Sequence, residues 1–164
     1  MKKIREAVFS ECLAIAKVHV KSWQETYQGI IDQQFLDELS VENREKMWRY
    51  YLTHESAKVF VAELEEKIVG FSSTEFREYP APNSAYLASI YLLQEYQGLK
   101  LGKELFFEGI NYLLKTHSEV FIEVISDNPT LEFYRKFGAQ FVEEKEIEIS
   151  GKTIKEILLK ISFN

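Results

Sequence analysis

Chemistry in this chain is concentrated in its central third. The segment Gln97-Gly98-Leu99-Lys100-Leu101-Gly102-Lys103 follows an apolar run and opens an amphipathic one. Free backbone N–H groups at such a helix start, helped by the helix dipole, bind phosphate oxygens, and Lys100 and Lys103 add positive charge. Glycine in that place is also explained by tight-turn geometry alone. The segment is not a P-loop, because Gly98 and Gly102 stand too close and Lys103 is followed by Glu104. It also lacks the Gly-x-Gly-x-x-Gly dinucleotide pattern. Further on, Asp127-Asn128-Pro129-Thr130 leads into a stretch holding Tyr134, Lys136 and Gly138. An Asn there either caps a helix or offers its amide to a ligand, and Tyr134 is either core or a proton donor with an unperturbed pKa of ~10.

Other candidates are weaker. Trp23 and Tyr27, one helical turn apart, can sandwich a cation or form the core face of a helix. Glu75 and Glu123 can serve as bases through water or as ordinary ion-pair members. Cys12 and His19 share a helix without an orienting third group, so Cys12 reads as core. His54 and His117 lie near helix carboxyl ends, where a cation is simply favourable.

The elements that position these residues follow from periodicity and caps. Ser10 is expected to cap a helix from Glu11 to about Lys21, and Ser40 one over 41–52. Strands are expected over 58–64 and 68–77, joined by Glu65-Glu66-Lys67. The prolines of 79–83 mark a loop. Residues 85–93 are almost wholly apolar, as in a strand buried on both faces. A long helix is expected over 98–116, a buried strand over 120–125, and a short helix capped by Asp127 or Asn128 and ended by Gly138. A terminal hairpin, 139–149 and 153–162, turns at Ser150-Gly151. This succession predicts one mixed α/β sheet.

Composition narrows the class. A chain of 164 residues is about one domain, and 46% hydrophobic with 28% charged residues is an ordinary globular mix. With 12 Phe, 9 Tyr and 2 Trp, disorder is excluded. The single Cys12 forms no internal disulfide and supports no cysteine-rich metal site. No apolar signal core follows Met1, and no run reaches the ~20 apolar residues of a membrane span. A soluble, reduced, cytoplasmic protein is the expectation. The net charge of −6 argues against a nucleic-acid partner and suits a cationic substrate as well as mere solubility.

Taken together, these segments resemble the GNAT N-acetyltransferases. Gln97-Gly98-Leu99-Lys100-Leu101-Gly102 is similar to that family's acyl-CoA motif Gln/Arg-x-x-Gly-x-Gly/Ala, with Lys100 replacing the middle glycine. Residues 127–139 resemble its Asn-x-x-Ala-x-x-x-Tyr-x-x-x-Gly-Phe signature: Tyr134 and Gly138 match, Asp127 stands in the Asn column, and Asn128 is one residue late. Trp23-Gln24-Glu25-Thr26-Tyr27-Gln28-Gly29 is similar to a segment of a bacterial branch that includes PaiA-type polyamine acetyltransferases.

The resemblance covers nearly the whole chain and implies a single N-acetyltransferase domain over 1–164. It implies an α/β GNAT fold with a mixed, mostly antiparallel sheet, flanked by helices and splayed between its fourth and fifth strands. Acetyl-CoA is then the acetyl donor, with no metal. Contacts to CoA are implied for Ile90, Leu92, Gln97, Gly98, Leu99, Lys100, Leu101, Gly102, Lys103, Asn128, Tyr134 and Lys136. Tyr134 is implied as general acid, and Trp23 and Tyr27 as acceptor-pocket residues. A small primary amine such as spermidine or spermine is the expected acceptor, and a homodimer is compatible with the resemblance. A protein amino terminus, a lysine or an aminoglycoside is the rival acceptor, and a non-catalytic acyl-CoA-binding module the rival class.

Overall fold

The computed structural model describes residues 1–54 and 57–163. Its strands are β1 (Lys2–Glu6), β2 (Val59–Leu64), β3 (Lys67–Arg77), β4 (Ser84–Leu92), β5 (Glu119–Ile125), β6 (Gln140–Ile149) and β7 (Lys152–Ser162). They form a seven-stranded sheet in the order β1-β2-β3-β4-β5-β7-β6. Every neighbouring pair is antiparallel except β4 and β5, which run parallel. Those two meet at one register pair, Tyr86 with Phe121, and then part. The sheet is therefore splayed where the sequence predicted.

That parting corrects one expectation. Residues 85–93 read as a strand buried on both faces, yet only Ser84–Leu87 of β4 are buried, and Ala88–Leu92 are half-buried. The apolar run is right, but burial of its second half requires a neighbour that β5 does not supply.

Helices α1 (Cys12–Thr26), α2 (Gln33–Asp37) and α3 (Val41–Leu52) cover one face of the sheet, and α4 (Leu101–Leu113) and α5 (Thr130–Lys136) the other. Period-2 alternation decides which residues meet which helices. Phe71, Val59 and Val61 pack with Ile15, Ala16 and Trp48. Leu87, Ile122, Val124 and Leu159 pack with Phe106, Ile110 and Tyr134.

Local signals succeed where their chemistry is local. Ser40 Oγ accepts from the Asn43 amide at 3.1 Å, so α3 starts and ends as predicted. Ser10 does not cap α1. The Glu11 carboxylate accepts from the Val8 amide at 2.9 Å and pairs with Arg5, and α1 runs from Cys12 to Thr26 rather than stopping near Lys21. The helix predicted from Gly98 begins at Leu101, because Gly98 (φ +88°) and Lys100 (φ +64°) are left-handed and cannot extend it. Among the described residues, no helix is long and apolar enough to cross a membrane.

Candidate active site

Where β4 and β5 part, a cleft of about 790 Å³ opens toward α4 and α5. Its floor is the free half of β4, through Ile90 and Leu92. Beyond Leu93 the chain makes one 3₁₀ turn, Gln94–Tyr96, and enters the left-handed corner at Gly98 and Lys100 before α4. Among the described residues, no acceptor in the chain takes the backbone amides of 98–103, as expected at a helix N-terminus.

Gly102 adds a second indication. It lies in the first turn of α4 with ordinary helical backbone, and a Cβ built on it meets nothing within 4 Å. Glycine costs about 1 kcal/mol relative to alanine inside a helix, and here no protein atom requires it. The missing side chain suits close approach by a ligand. With Lys100, Lys103 and Lys136 also on the rim, the groups present fit a phosphorylated donor such as acetyl-CoA.

On the opposite rim, Asn128 is buried and its side chain makes two hydrogen bonds. Its Oδ1 accepts from the Thr130 amide at 2.9 Å, capping the start of α5, and its Nδ2 donates to the Tyr27 hydroxyl at 3.1 Å. Asn128 thus caps the helix and also stands in the lining of the cleft.

The structure brings together Ile90, Leu92, Gln97, Gly98, Lys100, Leu101, Gly102, Lys103, Asn128 and Lys136 around this one cleft. The Leu99 side chain is not part of the cleft lining and is 49% exposed, so what Leu99 can offer there is its unpaired amide. Tyr134 does not line the cleft either. It is buried behind the wall among Phe106 and Phe133, four residues on from Thr130, which does line it. Burial, and secondarily the Tyr27 phenol, push the Tyr134 hydroxyl well above its ordinary pKa, so it holds its proton through the neutral range.

Thr26, Gln94, Pro129, Thr130 and Phe133 also line the cleft without being predicted to, and so does Glu25, whose acidity suggests the acceptor wall instead. Glu25 Oε1 accepts from the Gln94 amide at 3.0 Å, tying α1 to the 3₁₀ turn that precedes α4. Its place inside the Trp23–Gly29 segment was the available signal.

The face of β4 away from α4 presents Tyr91, which joins Trp23 and Tyr27 in a wall. Tyr27 and Tyr91 hydroxyls lie 3.4 Å apart, and burial raises both pKa values. Of the two readings of Trp23 and Tyr27, the core face of a helix is the one Tyr27 adopts, and no cation slot lies between the rings. Their rings touch edge to face with centroids 4.8 Å apart, and Tyr27 is buried with its hydroxyl engaged, which leaves no slot between them. A guanidinium already lies over Trp23, that of Arg44, at 5.5 Å from the ring centre.

The candidate bases resolve as structural groups. Glu75 and Glu123 both pair with Arg77. His19 Nδ1 accepts from Trp48 Nε1 at 3.2 Å, and burial pushes its pKa down to about 3, too low for a base at neutral pH. Cys12 is buried and its thiol is pushed up by burial, as a core cysteine should be.

Comparison with known proteins agrees with this geometry. The Acetyltransferase (GNAT) family profile matches residues 20–139. The chain is 35% identical over 162 residues to the uncharacterized N-acetyltransferase YuaI of Bacillus subtilis (strain 168), covering 96% of this chain and 91% of that one. The fold is shared with the PaiA N-acetyltransferase of Thermoplasma acidophilum in complex with coenzyme A, at TM-score 0.74 and 21% identity over 95% of this chain and 98% of that one. It is shared too with YncA of Salmonella typhimurium bound to acetyl-CoA, at TM-score 0.76 and 16% identity over 99% and 94% of the two chains.

Proposed function

The chain belongs to the GNAT acetyltransferase family and is an acetyl-CoA-dependent N-acetyltransferase, and on that premise we propose that it acetylates a primary amine of a small molecule, with Tyr134 as the proton donor. The observation that carries this reading is the cleft at the splay. It gathers the free half of β4, the unpaired amides of 98–103, the open position at Gly102 and Asn128 on one concave surface.

Each group has a distinct task in this reading. The amides and lysines of the phosphate turn hold the charged end of acetyl-CoA. The edge of β4 that β5 leaves free past Tyr86 offers backbone groups to its extended arm and to the carbonyl under attack. Tyr134, buried on α5 next to the cleft-lining Phe133, is in this reading the source of the proton that the leaving thiolate needs.

The polyamine expectation comes from the resemblance to PaiA-type enzymes, and the acidic residues of the helices around the acceptor wall would add a favourable field, but each of these carboxylates has a local partner. Glu25 holds Gln94, and Asp32 caps α2 through the Phe35 amide. Asp37 and Glu38 accept from Gln33 and Gln34, and Glu42 and Glu45 pair with Lys46 and Arg49. Spermidine accordingly belongs in the test as one acceptor among several.

The test is thiol release from acetyl-CoA in the presence of small amines, peptides and an aminoglycoside, beside calorimetric titration with CoA. Turnover on at least one small amine is the expected result. CoA binding without turnover on any amine leaves a binding module, and turnover confined to peptides transfers the acceptor to protein.

A further inference from the structure

Arg44 differs from every other arginine of the chain. The chain has five arginines, and four are paired with carboxylates: Arg5 with Glu11 and Glu63, Arg49 with Glu45, Arg77 with Glu75 and Glu123, and Arg135 with Glu132. The Arg44 guanidinium has no hydrogen bond or ion pair among the described residues, although acidic residues outnumber basic ones by 26 to 20. Its one partner is the face of Trp23. Exposure does not explain this, because Arg44 is only half-exposed and burial lowers its pKa with no carboxylate acting to restore it. A desolvated cation is retained at a cost unless something pairs with it.

Its position says what that partner is. Ile90 and Leu92 line the donor cleft on the α4 side of the free half of β4, so Tyr91 between them faces the other side. An amine attacking a carbonyl held on β4 approaches from that other side, along the wall of Tyr91, Tyr27 and Trp23. Arg44 sits at the end of this wall and does not line the donor cleft, whose own cations are Lys100, Lys103 and Lys136. Resting on the acetyltransferase reading above, we propose that Arg44 is a specificity residue that pairs with a carboxylate on the acceptor, so that the substrate is an amino acid or related amino-carboxylate rather than a polyamine.

Thiol release is measured with glycine, β-alanine, 4-aminobutanoate and 6-aminohexanoate, each beside its carboxamide, and with spermidine. The series varies the distance between amine and carboxylate. At least one acid is expected to exceed its amide by about tenfold or more in kcat/KM, the scale of one charge-assisted contact, with the difference in KM. Arg44→Gln removes that preference, Arg44→Lys restores part of it, and Arg49→Gln, on the same helix, leaves it intact. Acids and amides used equally by the parent protein overturn the proposal. So does a preference that survives in Arg44→Gln, or spermidine outrunning every acid.

Calorimetric titration of the CoA-bound protein with the same acids reads the site without turnover. Acid binding that Arg44→Gln loses supports the proposal even where no product forms, and binding of none of the acids overturns it. Failure to bind CoA at all counts against the acetyltransferase reading instead. The ligand-free melting temperature separates a ligand-binding role from a structural one. Arg44→Gln is expected to melt at or above the parent, because it removes an unpaired desolvated charge, and a fall of several degrees makes Arg44 a structural residue and overturns the assignment.

Discussion

Strand β4 is two different objects along its own length. Its first half, Ser84–Leu87, is buried and reaches β5 at Tyr86. Its second half, Ala88–Leu92, is half-buried and has β3 on one side only. Each half carries a tyrosine with an apolar residue beside it. Tyr86 lies against Phe121 of β5 and under Arg77, 4.2 Å from its ring, while Arg77 reaches from β3 across β4 to Glu123 of β5. That strap draws the three strands together. Tyr91 has no such strap and stacks on His19 of α1 instead. Similar residues thus close one end of the sheet and open the other, and the difference lies in what the neighbouring strands contribute.

The largest effect that tests this contrast is loss of packing in the closed half. Leu87 is 1% exposed and occupies the space Gly109 leaves, where an added Cβ would stand 2.6 Å from Leu87 Cδ1. Leu87→Ala is expected to lose about 2–5 kcal/mol of stability, with the CoA affinity of the folded protein unchanged. Leu92→Ala is expected to do the reverse, with a smaller stability loss and weaker CoA binding. Thermal melts beside calorimetric titrations check both, and parallel losses in the two variants would erase the distinction between the halves.

Next in size is Tyr134→Phe. Losing the proton donor is expected to lower kcat by about 100-fold, the usual scale for general acid catalysis, with the affinity for acetyl-CoA nearly unchanged. The ring already packs among Phe106 and Phe133, so stability should hold. Full activity in the variant would make Tyr134 part of the packed side of the molecule rather than of the open one.

What the sequence disclosed follows the same division. Features set by neighbours in the chain were legible: the Ser40 cap, the left-handed stop at Gly138, and the Ser150-Gly151 turn. Features set by distant chain were not. Strand β1 shows no apolar alternation, since Lys2, Lys3, Arg5 and Glu6 surround Ile4, and only pairing with β2 makes it a strand. Helix α2 is too short to show a period. The candidate site was legible through its glycines and Asn128, which answer to backbone geometry. The fate of Trp23 and Tyr27 was not, because the edge-to-face contact that closes the slot and the Arg44 guanidinium over Trp23 depend on how distant elements pack.

Gly102→Ala probes the open end more finely, since its two effects have opposite signs. Alanine is the better helix former by up to about 1 kcal/mol, and the position is empty of protein atoms, so the ligand-free protein should melt higher. The same methyl group projects where the phosphate turn must be approached, so CoA binding should weaken. A higher melting temperature with undiminished affinity would show that Gly102 leaves room for nothing.

Lys100→Gly is the mildest test, and it concerns strain rather than space. Lys100 stands at φ +64°, φ +20° to +160° being the range glycine accepts freely and other L-residues occupy at a cost of roughly 1–2 kcal/mol. Glycine gives part of that back through the greater freedom of its unfolded chain, so the net gain in stability should be about 1 kcal/mol or less. The backbone amides keep their directions, because the conformation they need is the one glycine adopts readily. Affinity for CoA should therefore equal or exceed the parent's. If it falls, and the deficit shrinks as added salt screens charge, the Lys100 ammonium is itself a phosphate ligand. The left-handed corner would then be held against its strain for the sake of that charge, and the open end of the sheet would bind by side chain as well as by backbone.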